Sequence, residues 1–255
     1  MFTCKIIAHR GANQYAPQNT IPAFQKAIAL GADGLETDVH VTRDGALVLC
    51  HNYSIDETSN GLGNISEYTL KDLKSLDFGA SFSRKYRGTP LPSLDEFLEL
   101  CKRSPLKIMN IELKSPKMDE HGIVRKTLEA VERFGLLDRL LISSFDPALL
   151  AQAKALQPDC RTALLYPTPQ NAIPFYLHPP YGLVQKIGAD AVHPFHGFVS
   201  AAMVRRFHKM GVRVHPWTVN SPSAVRKLLV CGVDGIITDR PRDVAEITRK
   251  CSCVW

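Results

Sequence analysis

Short apolar runs alternate with helix-like segments along most of the 255-residue chain. Eight of these runs are predicted as strands, at residues 5–8, 34–40, 107–113, 140–143, 162–165, 191–193, 212–217 and 235–238. Such alternation requires a parallel sheet with right-handed crossovers. It predicts an α/β protein with a closed (β/α)8 TIM barrel. A doubly wound open sheet is the alternative, disfavoured because no glycine-rich nucleotide fingerprint follows the first strand.

The segments between the strands predict helices at residues 21–30, 94–103, 119–134, 147–156, 201–210, 223–230 and 241–250. Asn19 and Thr20 are expected to cap the first helix and Asn220 the helix at 223–230. The proline-rich stretch 167–180 is expected to be a loop. After the second strand, an extended run at 46–50 leads into residues 53–92, where turn residues surround a short helix at 69–76. The chain is therefore interpreted as a single domain, 1–255, with a small insertion at about 53–92.

Composition bears on the protein's partners, on membrane insertion and on its cellular compartment. The formal charge is +6, but the Lys and Arg residues are dispersed, so a nucleic-acid partner is not expected. No apolar run is long enough to span a bilayer, and the amino terminus lacks the form of a signal peptide. The seven cysteines show no zinc-ligand spacing, which favours free thiols in a cytoplasmic protein. The oligomeric state stays open.

Polar side chains stand at or near the ends of several predicted strands. They are His9 and Arg10, Glu36 and Asp38, His51, Glu112 and Lys114, and Trp217. In a barrel the carboxyl ends of the strands carry the functional side chains, so these residues are expected to converge. The planar guanidinium of Arg10 and the ammonium group of Lys114 suit anionic oxygens, which predicts that both residues bind substrate. Trp217 is predicted to form a wall of the cleft.

The acidic residues of this set predict a metal site. Glu36 and Asp38 are two residues apart and point to the same side of their strand, and the flanking Leu35 and Val39 indicate burial. With Glu112 nearby, the carboxylates would repel one another unless a cation intervened. Hard oxygen ligands select Mg²⁺ or Ca²⁺, with Mn²⁺ as a further candidate.

Most of the other histidines are interpreted as structural or surface residues, namely His40, His121, His178, His196 and His208. The roles of His193 and His215 stay open. Cys50 should face away from His51, which disfavours a Cys–His nucleophile.

The motifs H-R-G, P-x-N-T, G-A-D-x-x-E-x-D-V, T-x-D-G and a following His, then I-E-L-K and W-T-V-N, occur in this order from residue 9 to about 239. In this the chain resembles the glycerophosphodiester phosphodiesterase family. The resemblance implies that Glu36, Asp38 and Glu112 bind the metal and that His9 and His51 are the acid/base pair. It also implies a small-molecule substrate, a glycerophosphodiester, hydrolysed to an alcohol and glycerol 3-phosphate.

Three positions depart from the family pattern. Gln18 replaces a Glu, Asn52 replaces an Asp, and the run D-E-T-S places Glu57 where the family tends to have an Arg. The change at Gln18 is expected to affect metal affinity or the orientation of Arg10. None of these changes removes a residue assigned to the chemical steps.

No Ser, Cys or Thr is placed as a nucleophile beside a base. The favoured attacking group is therefore the substrate's own glycerol 2-hydroxyl, with water as the alternative. Two other functions stay open. A lysophospholipase D-like or cyclic-phosphate-forming lipid enzyme would show an exposed apolar rim, for instance from residues 167–181. A non-catalytic phosphate-binding relative would lack one of the acid/base or ligand residues, and none is missing.

Overall fold

The computed structural model describes residues 4–114, 122–166 and 178–252. Within them, nine strands form one sheet: β1 (Lys5–Ala8), β2 (Gly34–Val41), β3 (Leu47–Leu49), β4 (Ile108–Leu113), β5 (Leu140–Ser144), β6 (Arg161–Tyr166), β7 (Ala191–Pro194), β8 (Arg213–Val214) and β9 (Gly235–Thr238). Eight are parallel, in the order β8-β7-β6-β5-β4-β2-β1-β9, and β3 pairs antiparallel with β2.

Backbone hydrogen bonds join the two ends of this strand order. The N–H of Asp234 donates to the carbonyl of Val214 at 3.0 Å, and the N–H of Ile237 donates to the carbonyl of Pro216 at 3.0 Å. The parallel strands thus form a nearly closed barrel, and the predicted TIM barrel is confirmed.

Helices cover the outside of the barrel: α1 (Ile21–Ala29), α3 (Leu94–Lys102), α4 (Ile123–Phe134), α5 (Pro147–Leu156), α6 (Tyr181–Ile187), α7 (Ala201–Lys209), α8 (Pro222–Cys231) and α9 (Pro241–Ser252). The short helix α2 (Leu70–Lys74) lies instead in the segment between β3 and α3. Local sequence sets their ends. Ser93 and Glu96 form a capping box that starts α3, and Gly135 adopts a left-handed conformation that ends α4. Among the described helices, none combines the length and apolar character needed to cross a bilayer.

The interior of the barrel holds a small apolar cluster, made by Ile7, Ile108, Leu141, Ala163, Ala191 and Ile237. A larger core lies between the sheet and the helices, where Phe24 of α1 meets Phe97 of α3 with ring centroids 4.8 Å apart. Packing on both faces explains why the strands read as continuous apolar runs in the sequence.

The segment between β3 and α3 builds a second, separate core from Val48, Cys50, Ile55, Ile65, Leu73, Phe78 and Leu91. Two of these residues, Val48 and Cys50, lie on or next to β3. The inserted segment therefore packs onto the strand that leads to His51.

Several predicted elements differ in detail. The strand predicted at 212–217 is assigned only at Arg213–Val214, because Pro216 has no N–H to continue the ladder. Helix α6 was not predicted, since the prolines before Tyr181 indicate a loop. Residues 119–121, including His121, and 167–177 of the proline-rich stretch lie outside the described residues, as does the start of the helix predicted at 119–134.

The predicted caps at Asn19 and Asn220 are wrong. Ser221, and not Asn220, accepts a hydrogen bond from the N–H of Ala224 at the start of α8. Thr20 occupies the N-cap of α1, but its hydroxyl donates to the carbonyl of Pro17 at 2.5 Å. Both asparagine side chains instead bind carboxylates at the carboxyl end of the barrel.

Candidate active site

Strand register brings the three predicted metal ligands together. In the parallel pairing of β2 with β4, Asp38 lies opposite Glu112, and Glu36 is two residues before Asp38 on the same strand. All three side chains are buried, and one carboxylate oxygen from each lies within 4.8 Å of the others. We call these residues the carboxylate cluster.

Two cationic side chains contact the carboxylate cluster. Lys114 Nζ lies 3.1 Å from Asp38 Oδ1 and also forms an ion pair with Glu112 Oε1. Arg10 Nε lies 3.5 Å from Asp38 Oδ2, and the Arg10 backbone N–H donates to Glu36 Oε2 at 2.7 Å. Two basic groups therefore lie against the three acidic groups of the carboxylate cluster.

A tight turn after β1 aims that backbone N–H at Glu36. Arg10 has φ of 55° and Gly11 has φ of 78°. A Cβ at Gly11 would lie 2.7 Å from the backbone carbon of Ala23, so only glycine fits where the turn meets α1. Left-handed backbone at a non-glycine residue such as Arg10 is uncommon and concentrates at functional sites.

Burial and neighbouring charges shift the pKa values of all three acids in the carboxylate cluster. Burial and the charges of Asp38 and Glu112 raise the pKa of Glu36 well above its usual range. Burial also raises the pKa of Glu112, to about 7, although Lys114 opposes this. Burial disfavours ionised Asp38 as well, but Lys114 and Arg10 outweigh it and hold its pKa below the ordinary value. The two cations thus offset only part of the negative charge, and a bound divalent cation would offset the remainder.

Asn19 holds Asp38 in place. Its Nδ2 donates to Asp38 Oδ2 at 2.8 Å, and its Oδ1 accepts from the hydroxyl of Thr37 at 2.8 Å. The residue is 2% exposed and has φ of 54°. Asparagine tolerates left-handed backbone better than most residues, and this conformation places its side chain against Asp38.

His9 is paired with an acid that the sequence interpretation missed. Its Nδ1 lies 2.7 Å from Asp239 Oδ1, at the end of β9. Asn13 Nδ2 donates to the same oxygen at 2.6 Å, and Asn220 Nδ2 donates to Asp239 Oδ2 at 2.5 Å. Burial disfavours the ionised form of Asp239. These hydrogen bonds outweigh burial, the bond from His9 most strongly, and bring the pKa of Asp239 down to about 2. Burial lowers the pKa of His9, and the hydrogen bond from His9 to Asp239 opposes that shift.

His51 is paired with an amide. Its Nδ1 lies 2.6 Å from Asn52 Oδ1, and Asn52 Nδ2 donates to Glu57 Oε2 at 2.9 Å. Burial lowers the pKa of His51 to about 4, with Asp38 opposing the shift and Arg10 adding to it. Two of the departures from the family pattern, Asn52 and Glu57, thus contact each other behind this histidine.

Aromatic side chains line the side of the cleft away from β1. Trp217 Nε1 donates to the carbonyl of His193 at 2.7 Å, and its ring packs edge-on against Phe145 at 5.7 Å and Phe195 at 6.1 Å. A cavity of about 470 Å³ between Phe145 and Tyr53 also includes His51 and Lys114 among its lining residues.

The two histidines left open by the sequence form a buried pair. His193 Nε2 lies 3.2 Å from His215 Nδ1, and both are less than 5% exposed. Through its carbonyl, His193 fixes the indole of Trp217. The structural interpretation of His208 agrees with its contact, since its Nε2 lies 2.8 Å from Asp234 Oδ2, before β9.

The eight residues selected from the sequence all lie at the carboxyl end of the barrel. Sequence reasoning missed Asp239 and gave Asn13 no role, and it interpreted Asn19 and Asn220 as caps. For Asp239 a signal was present, because it directly follows the last predicted strand, where functional side chains are expected. No local signal separates an asparagine that caps a helix from one that binds a carboxylate.

The nearly closed barrel and this polar face define a TIM-barrel enzyme. The glycerophosphoryl diester phosphodiesterase family model matches residues 9–243. The chain is 37% identical to a glycerophosphodiester phosphodiesterase of Caldanaerobacter subterraneus over 96% of its length and 98% of the relative's. It is 36% identical to one of Bacillus altitudinis, over 96% and 98%. The chain therefore belongs to the glycerophosphoryl diester phosphodiesterase family, and the predicted class of phosphoric diester hydrolase is confirmed.

Solved structures agree with the fold. A phosphodiesterase of Oleispira antarctica, solved in complex with its product sn-glycerol-3-phosphate, superposes with a TM-score of 0.89 at 27% identity, covering 97% of this chain and 98% of that one. A glycerophosphoryl diester phosphodiesterase structure from Silicibacter pomeroyi superposes with a TM-score of 0.85 at 28% identity, covering 98% and 94%.

Proposed function

We propose that this protein hydrolyses glycerophosphodiesters to an alcohol and glycerol 3-phosphate, with a divalent cation as cofactor. The observation that carries the proposal is the arrangement of His9 and His51 beside one carboxylate cluster, each histidine with a hydrogen-bond partner at Nδ1. The names of its relatives and the product bound in the Oleispira antarctica structure support the choice of substrate.

The carboxylate cluster fits a hard divalent cation. Its donors are three carboxylate oxygens, the ligand type that Mg²⁺, Ca²⁺ and Mn²⁺ prefer. Burial and the neighbouring acids raise the pKa values of Glu36 and Glu112, and a bound cation would oppose that shift. When bound, the cation would act as a Lewis acid toward a phosphoryl oxygen. Titration with Mg²⁺, Ca²⁺ and Mn²⁺ would identify the cation that supports activity.

The side chains of Arg10 and Lys114 supply the protein's own positive charge for the phosphate. The Arg10 guanidinium is held on both sides, since its Nη1 donates to Gln18 Oε1 at 2.7 Å and its Nε lies near Asp38. Lys114 is 13% exposed, and although burial disfavours its charged form, Asp38 and Glu112 raise its pKa. Both side chains therefore carry charge that stabilises the phosphorane-like transition state.

The attacking group in this proposal is the glycerol 2-hydroxyl. One histidine takes its proton while the other protonates the departing alcohol, which leaves a cyclic phosphate that water then opens. A 2-deoxy or 2-O-methyl analogue should bind but turn over very poorly. Cleavage of the analogue at a rate comparable to the parent diester would exclude internal attack and leave direct attack by water.

The function is tested by turnover of a panel of glycerophosphodiesters with and without chelator. Activity should disappear in excess EDTA and return with Mg²⁺, Ca²⁺ or Mn²⁺. Replacing His9 or His51 by Ala should lower kcat by ~10²–10⁴ while the circular dichroism spectrum is unchanged. Full activity in excess EDTA would exclude the metal role, and a variant with near-normal kcat would exclude that histidine from proton transfer.

One observation favours a second candidate, a lysophospholipase D-like activity on the same site. Tyr53 is 44% exposed and lines the 470 Å³ cavity with Phe145, and Phe195 is 39% exposed and packs against Trp217. Such an apolar rim would contact an acyl chain. Lysophospholipids added to the substrate panel would distinguish the two, since only this candidate predicts that they are turned over faster than the deacylated diesters.

A further inference from the structure

Two cavities meet at His51. One is the cavity of about 470 Å³ that Lys114 also lines. The other has a volume of about 200 Å³, and Gln18, Glu57 and Phe82 are among its lining residues. We call it the small cavity. Among the described residues, His51 is the only one that lines both. Because a phosphodiester carries two ester groups on one phosphate, each cavity can hold one of them.

The small cavity adjoins the side chain that is expected to bind the phosphate. Gln18 lines this cavity, and Gln18 Oε1 accepts a hydrogen bond from Arg10 Nη1 at 2.7 Å. A phosphate bound by Arg10 would therefore place one of its ester groups next to the small cavity. The volume of about 200 Å³ is below the ~300–1,000 Å³ of pockets for drug-sized ligands, so the occupant is a small alcohol.

Glu57 gives the small cavity a negative charge. It is exposed and lines the cavity, and none of the salt bridges among the described residues includes it. Its Oε2 accepts a hydrogen bond from Asn52 Nδ2 at 2.9 Å, which holds the carboxylate without neutralising it. No Lys or Arg is among the described residues that line this cavity. A position where the family tends to have an Arg has therefore reversed its charge.

The turn that carries Glu57 is fixed by hydrogen bonds to its own backbone. The N–H of Ser59 donates to the carbonyl of Ile55 at 3.0 Å. The N–H of Gly63 donates to Asp56 Oδ1 at 2.6 Å, so the neighbouring acid is bound within its own loop and does not line the cavity. Glu57 is therefore the acid of this turn that is available to a ligand in the small cavity.

An aromatic ring lines the small cavity as well. Phe82 is 42% exposed, and its ring packs edge-on against Tyr86 with centroids 5.7 Å apart. The hydroxyl of Tyr86 donates to the carbonyl of Tyr15 at 2.8 Å, which ties this part of the inserted segment to the segment before α1. A carboxylate and an aromatic ring beside one small cavity suit an ammonium group, because the face of the ring attracts a cation.

We propose that the small cavity selects substrates whose departing alcohol carries an ammonium group, with Glu57 and Phe82 as the residues that determine this specificity. The inference rests on the proposed function. The phosphate then lies at Arg10 and the carboxylate cluster, and the ammonium group lies in the small cavity. The glycerol lies toward the larger cavity, beside Lys114. A departing alcohol with a negative charge would be repelled by Glu57.

Two esters of the same shape test the effect of charge. Glycerol 3-phosphocholine carries a trimethylammonium group, and glycerol 3-(3,3-dimethylbutyl phosphate) carries a neutral tert-butyl group in its place. The measurement is the ratio of kcat/KM on the choline ester to kcat/KM on the neutral ester, at low ionic strength. The unaltered enzyme should favour the choline ester.

Variants of Glu57 should change this ratio. Glu57→Gln keeps an acceptor for Asn52 and removes the charge, so the ratio should fall about 4-fold, the effect of one unit charge about 5 Å away in water. Glu57→Arg replaces attraction by repulsion and should lower the ratio about 16-fold. Effects that act through His51 change the rates on both esters alike and cancel in the ratio.

Further measurements separate the contributions. Phe82→Leu keeps an apolar side chain but removes the aromatic face, and it should lower the ratio about 2–5-fold. Added salt should also lower the ratio, because Glu57 is exposed and its charge is screened. The matched control is Glu99→Gln, which removes the same charge from α3, where Glu99 pairs with Arg103 outside the small cavity. It should leave the ratio unchanged.

The same experiment separates this inference from the function on which it rests. An unaltered enzyme that hydrolyses the neutral ester as well as the choline ester would overturn the inference, and so would an unchanged ratio in Glu57→Gln. Failure of the unaltered enzyme to hydrolyse either ester would instead overturn the proposed function.

Discussion

Replacing Asn19 by Ala tests the link between the left-handed turn before α1 and the metal site. Asn19 is 2% exposed and joins Asp38 to Thr37 through two hydrogen bonds of 2.8 Å. Losing the bond to the ionised Asp38 should cost about 1.5–3 kcal/mol, and the unpaired hydroxyl of Thr37 about 1 kcal/mol more. Ala at φ near 54° adds about 1 kcal/mol. The free energy of unfolding should fall by roughly 3.5–5 kcal/mol.

Two matched variants separate these contributions. Asn19→Gly removes the same hydrogen bonds but adopts the left-handed backbone freely, so it should be about 1 kcal/mol less destabilised than Asn19→Ala. Thr37→Val keeps the shape of the side chain and loses the hydroxyl, so it should cost only about 1–2 kcal/mol. The measurement is urea unfolding in excess chelator, which excludes any stabilisation by bound metal.

Metal affinity provides a second readout of the same change. Asn19 orients a predicted metal ligand, and the loss of such an orienting partner typically weakens metal binding ~10–100-fold. Calorimetric titration with Ca²⁺ or Mg²⁺ would measure this in the glycine variant, which is the less destabilised of the two. The reasoning is refuted if both Asn19 variants unfold within about 1 kcal/mol of the parent and bind the cation with unchanged affinity.

Three further predictions concern other contacts of the cleft. Gln18→Glu would replace the 2.7 Å hydrogen bond to Arg10 with an ion pair, and it should raise metal affinity or kcat; unchanged kinetics across a metal titration would show that the departure is neutral. Trp217→Phe removes the donor to the His193 carbonyl and should cost about 1–3 kcal/mol in a thermal or urea unfolding experiment. Because burial lowers the pKa of His51 to about 4, NMR of its imidazole ring should show protonation only as the pH drops through about 4. A titration of that ring centred near the ordinary histidine pKa would contradict it.

The positions that sequence reasoning located well are those whose placement follows from chain periodicity. Glu36 and Asp38 lie two apart on a buried strand, so they had to share a face, and the barrel rule placed that face at the cleft. The same rule placed His9 at the end of β1. The boundaries of the parallel strands followed from apolar runs, except where Pro216 interrupts hydrogen bonding.

The contacts that sequence reasoning missed join residues far apart in the chain. His9 and Asp239 are separated by 230 positions and meet only because β1 and β9 are neighbours in the sheet. Asn19 and Asn220 fit the helix-cap pattern, yet the ionised carboxylates of Asp38 and Asp239 compete for their side chains more strongly than helix ends do.

The sequence by itself determined the barrel and the family and indicated most of the candidate site residues, because hydrophobic periodicity and short motifs are local properties of the chain. Only the tertiary structure decided which group stands behind each histidine, a carboxylate for His9 and an amide for His51. The physical reason is that a hydrogen bond depends on distances of a few tenths of an ångström between side chains. Such distances are set by strand register and by packing across the barrel, which no local pattern in the sequence records.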